Sequence, residues 1–98
     1  MEINKTQNGT EAILALEGRL DTVTSPSLEK ELDTVMDEAE AITLDFTKLD
    51  YISSAGLRVL LGAHKVMSRK GGLKIINVNE VVREVFDVTG FSDILSIA

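Results

Sequence analysis

After one short hairpin, strand and helix patterns alternate along this chain, and that alternation limits its possible folds more than any other feature. Asn8-Gly9 is a strong hairpin signal between a polar stretch at residues 2–8 and the apolar Ala12-Ile13-Leu14-Ala15-Leu16. The first is expected to be an edge strand and the second a more buried one. The loop Gly18–Pro26 follows, and Ser25-Pro26 predicts an N-cap with proline at the first helical position. A helix is then expected from Pro26 to Glu40, with Leu28, Leu32, Val35, Met36 and Ala39 on one stripe. Ala41–Phe46 alternates as a strand and leads through Thr47-Lys48-Leu49 to a second helix that runs to about Arg69, stopped by Lys70-Gly71-Gly72. Leu73–Val78 is the next strand. Asn79 caps a helix carrying Val82, Val85 and Phe86 that ends at Gly90, and Phe91–Ile97 closes the chain as a turn of helix or an added strand.

Strands joined through a helix cross over right-handed and pair in parallel. The order β-β-α-β-α-β-α therefore predicts an α/β fold with a mixed sheet, an antiparallel N-terminal hairpin and helices mainly on one face. A chain of 98 residues suffices for one core, so residues 1–98 are expected to form a single domain.

The stretch Asp50–Leu61 holds what chemistry the sequence offers. Ser53 and Ser54 stand where loop becomes helix. A serine there caps the helix by accepting an unpaired N–H of the first turn, and the same place tolerates added negative charge. Ser54-Ala55-Gly56 is half of the nucleophile elbow G-x-S-x-G, but Ile52 stands where the first glycine is required. The one histidine, His64, lies ten residues along the same helix, or about 15 Å by helical rise, out of reach of Ser54. Neither a phosphate-binding loop nor a metal-ligand set is present in the sequence. Arg58, Gly62, Lys65 and Arg69 form one polar stripe on this helix, and apolar residues occupy more than half of its circumference. Either the helix is wedged between sheet and neighbouring helices, or Leu57 and Leu61 stay partly exposed for a partner.

Sixteen acidic residues against ten basic ones give a net charge of −6, which argues against a nucleic-acid or anionic-membrane surface. The acidic residues of the first helix read as a solvated face. The chain has no cysteine, no apolar run of membrane-spanning length and no signal-peptide pattern at its start, and a cytoplasmic location is expected.

Two readings of the serines follow from the residues: helix cap, or acceptor of a phosphoryl group. A phosphoserine adds roughly −1.5 to −2 charges at pH 7, which the helix start would tolerate and Arg58 could pair. A partner packed over Leu57 would then have to desolvate the phosphate.

The strand order, the Leu20-Asp21 loop and above all Tyr51-Ile52-Ser53-Ser54-Ala55-Gly56-Leu57 resemble the STAS-domain anti-sigma factor antagonists of bacteria. The resemblance covers essentially the whole chain. It implies a STAS-like sheet and a phosphorylation site at Ser54, with Ser53 as the alternative. Asp21 matches a family aspartate in a loop beside that site. The implied function is partner switching: the unphosphorylated antagonist binds an anti-sigma factor that is also a serine kinase, and sigma factor is released. Phosphorylation with ATP ends the complex, and a metal-dependent serine phosphatase resets it. The chain is substrate and ligand, not an enzyme, and no cofactor or metal of its own is implied. Asp21, Thr22, Ser53, Gly56, Leu57, Arg58 and Leu61 are the expected partner-binding residues. This sequence departs from the family where many members have Asp before the phosphorylated serine, since that position is Ser53; Arg58 also stands where a small residue is common. Two rival readings use the same surface differently. One is a STAS interaction subunit of a signalling or transport assembly that is never phosphorylated. The other is a small-ligand or nucleotide module built on the Asp21 loop.

Overall fold

Alternating burial along β2 (Glu11–Leu20) shows how the sheet is covered: Ala12, Leu14 and Leu16 are fully buried while Ile13 and Ala15 between them are half-buried. The computed structural model describes Met1–Ala98. In chain order, β1 (Glu2–Asn8) and β2 form the hairpin, then come α1 (Ser25–Glu38), β3 (Ala41–Ile52), α2 (Ser54–Met67), β4 (Leu73–Ile76) and α3 (Glu80–Thr89). A 3-10 turn at Phe91–Asp93 and the two-residue strand β5 (Ser96–Ile97) complete the chain, so its last segment is both a turn of helix and an added strand. The five-stranded sheet has the order β1-β2-β3-β4-β5, with β1 antiparallel to β2 and every later pair parallel.

The register puts one apolar face together. Ala12 lies opposite Ile42 and Leu14 opposite Leu44, while Ile42 and Leu44 face Leu73 and Ile75 on β4. Leu28, Leu32 and Val35 of α1, Leu57, Leu60 and Met67 of α2, and Val82 and Phe86 of α3 join them in one core of 22 buried residues. Phe86 meets Phe46 with ring centroids 6.4 Å apart, fixing α3 on the face that α1 and α2 occupy. The mixed sheet, the hairpin and the one-sided packing are as expected.

Several boundaries differ from the sequence reading. β2 continues through Gly18-Arg19-Leu20, where a loop was expected, and β3, expected over Ala41–Phe46, runs on to Ile52. Register shifts between Ala15 and Glu17 and between Gly18 and Arg19 let the two strands stay paired beyond the point where the period-2 pattern breaks. Ser25 is not an N-cap. Thr24 holds that position without a side-chain cap bond, and α1 starts at Ser25, whose Oγ donates to the carbonyl of Asp21 at 2.5 Å. The Asp21 carboxylate takes up nearby loop N–H groups instead. The C-terminus of α1 comes at Glu38, two residues early, and Lys70 Nζ donates to the carbonyls of Met36 and Ala39 there. α2 ends at Met67, two residues before Arg69, and the Lys70 N–H donates to the Met67 carbonyl at 2.9 Å. β4 stops at Ile76 because Asn77 turns to φ 60°, while its Nδ2 donates to Asp45 Oδ1.

Candidate functional site

Two parallel strands end side by side and set up the site. Leu20 closes β2 opposite Ile52 of β3, and the N–H of Ser53 donates to the Leu20 carbonyl at 2.8 Å. That bond ties the loop after β2 to the start of α2. Ser53 is extended and takes the N-cap position, and its Oγ accepts from the N–H of Gly56 at 3.4 Å, a long bond. Ser54 is the first residue of the helix and is exposed. Capping falls to Ser53, which leaves the Ser54 hydroxyl facing water at the positive end of the helix dipole.

Gly56 is explained by crowding. A Cβ there would lie 2.7 Å from Leu20 Cγ and 2.9 Å from Ile52 Cγ1. The missing side chain lets α2 settle onto the ends of β2 and β3, and this sets the height of Ser54 above the sheet. Gly56 and Leu57 are both buried, Leu57 to 4% exposure, so neither presents a side chain at the surface. This corrects the exposed reading of Leu57: the start of α2 is wedged against the core, where Leu57 joins its apolar cluster. Leu61 is half-buried and Arg58 is exposed one turn beyond Ser54.

The neighbouring loop is built on Asp21. Its Oδ1 accepts from the N–H groups of Val23 and Thr24 at 3.0 Å each and from Thr24 Oγ1 at 3.2 Å. The one proton of the Thr24 hydroxyl is shared between that carboxylate and the nearer carbonyl of Arg19 at 2.7 Å, while Thr24 Oγ1 accepts from the Asp21 N–H at 2.8 Å. The Thr24 N–H foremost, with the Thr24 hydroxyl, the Val23 N–H and the Arg19 charge, holds the Asp21 carboxyl below its usual value near 3.8. Asp21 is thus occupied in shaping the loop. Thr22 and Val23 stand at its tip, both exposed, Val23 to 84%. Arg19 lies 3.9 Å from Asp21 Oδ2, and its guanidinium sits 4.4 Å from the centre of the Tyr51 ring, covering the strand end beside the serines.

The structure therefore joins the Asp21 loop, Ser53 and Ser54, and leaves Thr22, Ser54, Arg58 and part of Leu61 accessible around them. Val23, Arg19 and Tyr51 escaped the sequence reading. Val23 carried a signal, an apolar residue alone among loop-forming ones; the contact of Arg19 with Tyr51 depends on a strand register that the bulges conceal.

A STAS domain family model matches residues 2–98. A Bordetella bronchiseptica protein, BtrV, described as a candidate anti-sigma factor antagonist, is 41% identical over 88 residues, covering 88% of this chain and 76% of that protein. The chain belongs to the STAS-domain anti-sigma factor antagonist family. The anti-sigma-B factor antagonist of Bacillus subtilis is similar at 27% identity over 99 residues, covering 100% of this chain and 91% of its own. Among solved structures, the Bacillus anti-sigma factor antagonist SpoIIAA shares the fold in two forms. The unphosphorylated one has a TM-score of 0.83 at 20% identity, covering 99% of this chain and 88% of that one. The phosphorylated one has 0.76 at 19%, covering 99% and 91%. The members are regulators, so this STAS protein is not an enzyme. None of its helices is long and apolar enough to cross a membrane.

Proposed function

We propose that this STAS protein works in the cytoplasm as an anti-sigma factor antagonist switched at Ser54. Unmodified, it binds an anti-sigma factor that is also a serine kinase, and sigma factor is released to direct transcription. The observation that carries the reading is the division between the two serines: Ser53 holds the cap, and Ser54, exposed on the next position, holds nothing. In the switching step the Ser54 Oγ attacks the γ-phosphorus of ATP held by the kinase. The serine proton passes to a base on the kinase, and ADP leaves. No base of this chain is needed, which agrees with the position of His64 in the last turn of α2, at the opposite end of the helix from Ser54.

The product is compatible with the fold. A phosphate at the first helical residue meets the unpaired N–H groups of α2, and Arg58 is one turn away with a free guanidinium. A partner packed over Thr22, Val23 and Leu61 would have to desolvate that phosphate, so the complex ends while the antagonist stays folded. A serine phosphatase restores the starting state. The neighbouring fold of SpoIIAA, known in phosphorylated and unphosphorylated form, supports a switch of this kind.

Mass spectrometry after incubation with the cognate kinase and ATP tests the assignment. Phosphate is expected on Ser54; phosphate confined to any other residue would overturn it.

A further inference from the structure

Ser54, Arg58, Gly62 and Val66 follow one another at four-residue steps along α2, and all four are exposed. Between this line and α1 runs a groove of about 190 Å³. Met36, Val59 and Val66 contribute its apolar walls, Glu29 and Asp33 stand on the α1 side, and Arg58 on the α2 side. The ion pairs of this protein are Lys5 with Glu38 and Arg19 with Asp21, so Glu29 and Asp33, both exposed, form none, even with Arg58 across the groove.

Gly62 lies in this groove, and the chain's own packing gives no reason for it. Glycine is among the poorest residues for a helix interior. A Cβ on Gly56 would strike Leu20, whereas a Cβ on Gly62 would meet nothing within 4 Å. Its backbone is ordinary α-helix, which any residue adopts. What the absent side chain does provide is an open strip of backbone that a group from outside can approach closely.

We infer that the α1–α2 groove seats an aliphatic side chain of the anti-sigma factor, flanked on that partner by Lys or Arg residues that meet Glu29 and Asp33. The inference rests on the antagonist reading and deepens it by naming a second anchor on the same partner. Eight residues separate Ser54 from Gly62, about 12 Å of helix, so one partner segment lying along α2 spans both. The acidic side of the groove selects a basic partner, and the apolar walls with the missing Cβ select the size of what enters.

Calorimetric titration of the full chain against its cognate anti-sigma factor with ADP bound separates the possibilities, using Gly62→Leu and the double variant Glu29→Lys with Asp33→Lys. Gly62→Leu is expected to keep or raise the melting temperature, since leucine is the better helix former, and to weaken binding by about tenfold or more. The charge reversal is expected to weaken binding and to remove most of its salt dependence; both sites are exposed, so this variant decides even if Gly62→Leu misfolds. Wild-type affinity in both variants would overturn the groove while leaving the antagonist reading intact. Failure of the unaltered chain to bind would overturn both. Self-association of the chain that Gly62→Leu abolishes, with partner binding unchanged, would assign the groove to a second copy and overturn the inference.

Discussion

A hydroxyl engaged as a helix cap cannot be modified without loosening the helix that depends on it. Ser53 accepts from the Gly56 N–H and Ser54 does not, so chemistry at Ser54 leaves the cap in place. Ser54→Ala is expected to stay bound to the kinase in the presence of ATP, and Ser54→Asp to bind more weakly with an unchanged or slightly raised melting temperature; equal binding by the two variants would sink the charge-exclusion mechanism. Gly56→Ala acts on the fold instead. Its methyl would press on Leu20 and Ile52, and a loss of about 1–3 kcal/mol is expected from chemical denaturation. Asp21 adds a pH dependence. Because its folded pKa is lowered, the stability it contributes is complete above the unfolded value near 3.8 and is lost as pH falls through the lower folded one. Asp21→Asn should therefore flatten part of the acid limb of the melting-temperature profile. Asp45, which Thr47 and Asn77 hold low in the same way, adds to the same limb. At this scale the two serines at the start of α2 were legible as cap candidates, since a cap acts through neighbours in the chain, while the choice of Ser54 and the place of Asp21 beside it came from the resemblance to the family. Gly56 and Leu57 were harder to place. An apolar stripe shows that a helix docks, but whether Leu57 faces the core or a partner depends on how Leu20 and Ile52 approach from elsewhere.

Elements show the same contrast between local and distant causes. Asn79 was legible as a cap because the motif is local, and its Oδ1 accepts from the Val82 N–H at 2.8 Å. Its Nδ2 also donates to the Leu49 carbonyl at 2.8 Å, a link across the fold that no local pattern reveals. Asn79→Asp keeps the first bond and loses the second, whereas Asn79→Ala loses both. The alanine variant is expected to cost about 0.5–2 kcal/mol for the cap alone and the aspartate variant less, as thermal unfolding would show. The extended ends of β2 and β3 were misread for a related reason. Arg19, Thr47, Lys48 and Asp50 face water, so the apolar alternation fades before the pairing does. The first turn of α1 was misread at Ser25 because Asp21, four residues earlier, took over the local hydrogen bonds.

For the whole molecule, phosphorylation in the proposed switch would make the charge of −6 more negative, with the added charge at the start of α2, where the helix dipole tolerates it. Amide hydrogen exchange should show the phosphorylated protein as protected in its core as the unmodified one. General loss of protection would mean that phosphate unfolds the antagonist instead of repelling its partner. The exposure of Ser54 also has a kinetic consequence. A buried acceptor can be modified only during rare openings, at a rate proportional to the population of the open state. Ser54 is exposed and needs no such opening, so under the proposed switch the lifetime of the unmodified antagonist would be set by its encounter with the kinase and not by fluctuations of its own fold.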